Sequence, residues 1–203
     1  LIREVNVLKS FPDCDYILQL VDFFEMERCC VIILPLMRDS LYSVFTRYRF
    51  KLDDIRVIIT QILLGLQKLH DNGYVHADVK PENVLVDSEQ KEKKWSTKLC
   101  DFNWTLKLEP NFKRPPKVQS LMYRAPEVLF GDRYYGYQIV MWSVALIFLE
   151  MVTWGHFFML PSNNCTPHSI ESEVYHTIQV CRLFGQPPIE MGEDGKRNKW
   201  TLL

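Results

Sequence analysis

The chain has 203 residues, of which 47% are hydrophobic and 24% charged, with a formal net charge of −1. That balance belongs to a soluble globular domain or the larger part of one, and it excludes a disordered tail. The near-neutral charge gives no basis for a nucleic-acid or membrane-surface partner, and the apolar run 29–36 is far too short to span a bilayer.

Ile2, Val5, Leu8 and Phe11 recur at helical spacing before Pro12-Asp13, which predicts a short amphipathic helix. Residues 16–24 and 30–36 are β-rich runs separated by the charged stretch 25–28, a strand pair with a turn, and Pro35 ends the second strand. Ile55, Ile58, Ile59, Ile62, Leu63, Leu66 and Leu69 form an unbroken i, i+3, i+4, i+7 stripe. It predicts a helix with Asp53 as N-cap and Gly73 as C-cap. Three short runs follow, 74–76, 84–86 and 97–100, which read as small strands framing loops, with the charged stretch 87–97 a solvated hairpin insert. Residues 139–152 are apolar nearly all round, the pattern of a helix buried in the centre of a domain. Residues 170–184 read as another amphipathic helix, ended by Gly185 and Pro187-Pro188, and the tail beyond is polar and irregular. The six cysteines, at 14, 29, 30, 100, 165 and 181, include no Cys-x-x-Cys pair and read as reduced thiols of a cytoplasmic or nuclear protein.

The chemistry-bearing residues lie in the loops. Asp78 directly follows a predicted strand, with Lys80 two residues on and Asn83 five residues on, and Asp101 follows another predicted strand. A carboxylate to take the proton of an attacking hydroxyl, a cation to neutralise phosphate and oxygen ligands for magnesium are what phosphoryl transfer needs from a protein.

The order His76-Ala77-Asp78-Val79-Lys80-Pro81-Glu82-Asn83, Asp101-Phe102-Asn103, Ala125-Pro126-Glu127 and Met141-Trp142-Ser143 resembles the protein kinase signature set. Tyr123-Arg124-Ala125-Pro126-Glu127 and the stretch 178–187 resemble the CMGC group of cyclin-dependent, mitogen-activated and dual-specificity kinases. His76-Ala77-Asp78, Gln119-Ser120 and Asp39-Ser40-Leu41-Tyr42 are similar to its homeodomain-interacting and dual-specificity branch. The resemblance implies an α+β, protein-kinase-like fold, and a serine/threonine kinase that uses ATP and Mg2+ on a protein substrate. It implies Asp78 as base, Lys80 as electrostatic stabiliser, Ser120 in the same catalytic set, and Asn83 and Asp101 as metal ligands. By the same resemblance Glu4 pairs with an ATP-binding lysine, Leu34 is the gatekeeper, Leu36 and Met37 the hinge at adenine, Leu85 the floor beneath it, and Arg124 part of a pocket favouring proline after the target. Core packing is the alternative for the four apolar residues, and a solvated helix carboxylate the alternative for Glu4.

Several positions depart from the family pattern. Residues 1–64 contain no glycine, and Lys9 is the sole lysine before position 51, so neither a glycine-rich loop nor a lysine strand lies there. The expectation is a partial kinase domain truncated at both ends, 1–36 being a remnant of the N-terminal lobe with the start of the hinge and 37–203 an incomplete C-terminal lobe. Ala77 replaces the arginine that reads a phosphorylated activation segment, and residues 106–119 contain no Ser, Thr or Tyr. Lys113, Arg114 and Lys117 make that segment basic, a solvated loop or, alternatively, a docking surface for acidic substrates. Asn103 replaces a glycine and is expected to take the left-handed backbone region. Val140 replaces an aspartate that accepts backbone hydrogen bonds from the catalytic loop, an expected loss of about 1–3 kcal/mol. Glu127 is expected to pair with an arginine of a later helix. The alternative to an active kinase is a pseudokinase or kinase fragment acting as a binding module; the regulatory partner is not readable.

Overall fold

The computed structural model describes residues 2–27, 29–89, 94–109, 112–159 and 169–186. In chain order these form α1 (Ile2–Lys9), β1 (Asp22–Glu25), β2 (Cys30–Ile33), β3 (Asp39–Ser40), α2 (Leu41–Phe45), α3 (Leu52–Asp71), β4 (Tyr74–Val75), β5 (Val84–Glu89), β6 (Lys94–Leu99), β7 (Leu106–Lys107), α4 (Pro126–Leu129), α5 (Gln138–Thr153) and α6 (Ile170–Phe184). Short 3-10 turns lie at Pro81–Asn83, Phe102–Trp104 and Leu121–Tyr123. The fold is α+β, with helices dominating after residue 40.

The apolar stripe makes α3 the centre. Ile55, Ile58, Ile62, Leu66 and Leu69 are buried, each contributing about 1.5–3 kcal/mol by removal from water, and the helix packs on β6 and α5. Its ends differ from expectation by one or two residues. Lys51, not Asp53, is the N-cap, because the Asp54 carboxylate reaches back to accept the Lys51 N–H at 3.0 Å. Asp53 lies inside the first turn, where an acidic group complements the helix dipole. Asn72 is the C-cap, and Gly73, with φ 79°, supplies the left-handed exit one residue later. Gly65 permits a close approach: a Cβ there would lie 2.9 Å from the Tyr16 carbonyl oxygen and 3.0 Å from Leu99 Cδ1.

α1 forms as expected, but its buried face is Glu4, Val5, Val7 and Leu8, followed by Phe11, while Ile2 is exposed. The strand pair is the antiparallel hairpin β1–β2. Residues 16–18 instead run beside β6, with Leu18 N–H donating to the Leu99 carbonyl at 2.9 Å and Leu99 N–H to the Tyr16 carbonyl at 2.9 Å. β5 lies between β3 and β6, and β4 pairs with β7. The β5–β6 ladder runs out to Glu89 and Lys94, so only part of 87–97 is a turn, and residues 90–93 lie outside the described residues. Trp95 and Thr97 are buried. The Trp95 indole donates to Asp54 at 2.9 Å and its ring meets Tyr48 and Phe50, which is why this charged stretch is not wholly solvated.

β3 and α2 are too short for hydrophobic periodicity to announce. Ser40 joins them by accepting the Ser43 N–H on its hydroxyl at 3.2 Å. α5 is not buried all round: Ile139, Val140, Val144 and Ile147 are in the core, whereas Met141 and Phe148 are 47% and 43% exposed. Gly185, at φ 84°, ends α6; Pro187, Pro188, the tail and Cys165 lie outside the described residues. The five described cysteines form no disulfide. No described helix is long and apolar enough to cross a membrane.

Candidate active site

β4 feeds residues 76–83, which fold back along the ends of β5 and β6. His76 has no exposed surface. Its Nδ1 accepts the Asp78 N–H at 3.4 Å, and its Nε2 lies 3.0 Å from the Cys100 carbonyl oxygen. Those two contacts require the neutral ring with hydrogen on Nε2, and burial lowers the imidazole pKa in agreement. A neutral post therefore joins the loop that carries Asp78 to the strand that delivers Asp101. Between these residues Ala77 holds a left-handed φ of 55°, a conformation a non-glycine residue keeps only when its surroundings enforce it.

Asp78 is 5% exposed and bonded on both carboxylate oxygens. Oδ1 accepts the Ser120 N–H at 2.8 Å and the Ser120 hydroxyl at 2.9 Å. Oδ2 lies 3.1 Å from Lys80 Nζ and accepts Asn83 Nδ2 at 3.2 Å. Asn83 Nδ2 also donates to the Asp78 carbonyl at 2.9 Å, and Lys80 Nζ to Ser120 Oγ at 3.0 Å. The structure thus brings Asp78, Lys80, Asn83 and Ser120 together through charge-assisted bonds, although Ser120 is 42 residues from Asp78 in sequence.

Asp101 departs from helical and extended backbone, at φ 59° and ψ 74°. The left-handed residue of the Asp101-Phe102-Asn103 motif is therefore Asp101 rather than Asn103, which lies in the 3-10 turn Phe102–Trp104. The reason is local: Asp101 Oδ1 accepts both Asn103 Nδ2 at 2.8 Å and Asn103 N–H at 3.4 Å, closing a side-chain turn over Phe102. Glu4, 8% exposed, accepts the Phe102 N–H at 3.4 Å from the facing helix α1. Burial raises the Glu4 pKa and the Asp101 charge raises it further, partly offset by the Phe102 N–H and the Asn103 amide. Glu4 is accordingly not a solvated helix carboxylate.

The residues expected at adenine occupy two neighbouring stretches. Leu34 and Met37 are half-buried, and Leu36 is 97% exposed, which core packing does not account for. Leu85 is half-buried on β5, opposite Ser40 of β3 and Lys98 of β6.

Val140 is 1% exposed and offers no polar atom to the loop above it. The tie between that loop and α5 runs instead through Gln119, buried at φ 64°. Gln119 N–H donates to the Ala77 carbonyl at 2.9 Å. Its Nε2 donates to the Ile139 carbonyl at 2.9 Å and to Ser143 Oγ at 2.8 Å, and its Oε1 accepts the Ala125 N–H at 3.0 Å. Sequence reading used Gln119 as a motif letter and missed this role; an amide beside the apolar Val118 was the available signal. Arg124 caps two carbonyls, Val118 from Nε at 3.0 Å and Gln119 from Nη2 at 3.1 Å, while Nη1 meets Glu173 at 3.2 Å. Tyr123 donates to Glu150 at 2.8 Å, and burial holds its phenol pKa well above the usual range. Among the described residues Glu127 has no ion pair, and burial raises its carboxyl pKa.

The family described as Protein kinase domain matches residues 1–197. The chain belongs to the protein kinase domain family. Relatives of this kinase chain include a probable serine/threonine-protein kinase KIN28 homolog of Encephalitozoon cuniculi, 35% identical over 153 residues, covering 74% of this chain and 47% of the relative. The serine/threonine-protein kinase NLK2 of Xenopus laevis is 33% identical over 195 residues, 92% of this chain and 40% of the relative. A probable cyclin-dependent serine/threonine-protein kinase of Dictyostelium discoideum is 29% identical over 192 residues, 93% of this chain and 28% of the relative. The kinase chain thus spans less than half the length of these relatives. Among solved structures, the yeast RNA Pol II CTD kinase CTDK-1 complex matches with a TM-score of 0.78 at 26% identity, over 93% of this chain and 58% of that one. All three relatives are named as serine/threonine kinases and the Dictyostelium one as cyclin-dependent, which agrees with the CMGC resemblance of residues 123–127.

Proposed function

We propose that the protein carrying this chain is a serine/threonine kinase that transfers the γ-phosphoryl group of ATP to a protein hydroxyl, preferring proline after the target. The observation that carries this reading is the convergence of Ser120, Lys80 and Asn83 on the Asp78 carboxylate. A substrate hydroxyl that takes the place of Ser120 Oγ on Oδ1 would be oriented by Asp78 and would give it its proton as the hydroxyl oxygen attacks phosphorus. Lys80, tethered between Asp78 and Ser120, would set a positive charge beside the transferred group.

Asn83 and Asp101 fit magnesium. The Asn83 amide spends its NH2 on Asp78, which leaves its carbonyl oxygen for a hard cation, and the Asp101 contacts to Asn103 use Oδ1, leaving Oδ2. An ion held by one amide oxygen and one carboxylate would take its other ligands from phosphates and water. Bound magnesium would neutralise phosphate oxygens. Glu4 would meet the ammonium of an ATP-binding lysine, Leu34, Leu36 and Met37 would line the adenine side, and Leu85 would lie beneath it. In this reading residues 1–36 belong to the smaller lobe and 37–203 to the larger.

Proline preference follows from Arg124. With the Val118 and Gln119 carbonyls capped, the N–H of a residue after the target finds no acceptor there, a cost of about 1–3 kcal/mol that proline, lacking the N–H, does not incur. The test is phosphorylation by the full-length protein. Asp78→Asn should lower kcat by about 10²- to 10⁴-fold in protein whose circular dichroism shows it folded at the assay temperature, and equal turnover by the two proteins would overturn the reading.

A further inference from the structure

The basic segment before Ser120 is built, not loose. Arg114 N–H donates to the Arg133 carbonyl at 2.9 Å, Arg133 Nε donates to the Arg114 carbonyl at 2.7 Å, and the buried Tyr135 donates its hydroxyl to the Pro115 carbonyl at 2.7 Å. The Arg114 guanidinium lies 5.8 Å from the centre of the Tyr135 ring, and Lys113 Nζ lies 5.9 Å from that of Tyr134. Two guanidinium groups are therefore gathered at one junction, with a lysine next to them. Of the nearby acids, Glu173 pairs with Lys117 at 2.9 Å and Arg124 at 3.2 Å, Asp132 accepts the Tyr134 N–H at 2.7 Å, and the half-buried Glu127, whose carbonyl accepts the Asp132 N–H at 2.9 Å, makes no ion pair among the described residues. Among the described residues neither Arg114 nor Arg133 has a carboxylate partner. Arg114 Nε is buried with no acceptor at all. Holding like charges together is unfavourable in the isolated protein, and an anion at the guanidinium groups relieves that cost.

We propose that Arg114 and Arg133 form a receptor for a phosphorylated side chain of the protein substrate. Guanidinium forks match the oxygens of a phosphate dianion better than a point charge does. No residue of 106–119 can itself be phosphorylated to fill the place. The assignment to substrate rests on the kinase reading above. Arg114 is six residues from Ser120, at most about 20 Å along an extended chain, so the phosphorylated residue lies within about six residues of the target.

The experiment uses the full-length protein and fluorescent peptides that share one Ser-Pro target and carry phosphoserine, glutamate or serine at each position within six residues of it. Binding by anisotropy is read separately from turnover. One phosphoserine position should bind at least about ten-fold tighter than its serine counterpart. The double variant R114A/R133A should abolish that preference and leave the unmodified peptide unchanged, and R114K/R133K, which keeps the charge and loses the fork, should fall between. An equal preference in R114A/R133A, or none in the wild type, overturns the receptor; should the alanine variant not fold, full preference in R114K/R133K does so. Glutamate binding as tightly as phosphoserine overturns the assignment to phosphate. Turnover without preference removes this inference alone, and preference without turnover removes the kinase reading and with it the assignment to substrate, leaving a receptor for a phosphorylated peptide.

Discussion

Each oxygen of the Asp78 carboxylate has two partners, and they are not equivalent. The Ser120 N–H, Lys80 and Asn83 are fixed by the fold, whereas the Ser120 hydroxyl is a rotor that a substrate hydroxyl can replace. Ser120→Ala keeps the backbone donor and removes the link from Lys80 to Ser120 Oγ. A hydrogen bond to a charged group contributes about 1.5–3 kcal/mol, so kcat should fall by about ten- to hundred-fold with KM for ATP unchanged, checked by steady-state kinetics. An unchanged kcat would remove Ser120 from the catalytic set. At this scale Asp78, Lys80 and Asn83 were legible because they share one loop. Ser120 was legible only through its motif, and the exchange of backbone roles between Asp101 and Asn103 was not, because it depends on a side-chain turn rather than on residue preference.

Among the elements, α3 is the one whose surroundings override its own preference. Alanine is a better helix former than glycine by about 1 kcal/mol, so Gly65→Ala would stabilise α3 in isolation. In the fold the added methyl would lie 2.9 Å from the Tyr16 carbonyl, and such overpacking costs about 1–3 kcal/mol. The steric term should win, giving a net loss of stability in urea unfolding; a rise in the midpoint would show that residues 16–18 can yield. The stripe that predicts α3 is local and was readable, while its neighbour across Gly65 is 49 residues earlier in the chain and was not. The same holds for α5, whose uniform apolarity announced burial yet leaves Met141 and Phe148 exposed. Val140 predicted a loosened catalytic loop; Gln119 supplies a different tie from the loop to α5.

For the whole molecule, pH acts through buried imidazoles. His70, His76 and His176 all have lowered pKa values, with burial the first cause, and that of His176 falls to about 4. His176 has no exposed surface, both ring nitrogens lack partners, and its ring meets Phe158. In the folded state such groups stay neutral while the unfolded chain takes up protons. Stability is therefore full above about pH 6.5 and is lost as pH falls from there toward the folded pKa. For His176 the loss amounts to roughly 3 kcal/mol by pH 4. Glu4 and Glu127, whose pKa values are raised, act in the opposite sense, since acidification relieves their buried charge. Urea unfolding between pH 7 and 4.5 should show a falling midpoint that His176→Leu flattens; parallel slopes in both proteins would refute this.

The sequence by itself determined the family, the order of the long helices and which loops carry the polar groups, because hydrophobic period and motif spacing are properties of neighbouring residues. Only the tertiary structure decided that Ser120 closes on Asp78, that Glu4 is buried against Phe102, that Gln119 ties the Ala77 carbonyl to α5, and that Arg114 and Arg133 share one junction. Each of these joins residues far apart in the chain, and their meeting is fixed by how the helices and strands pack rather than by the composition of any one segment.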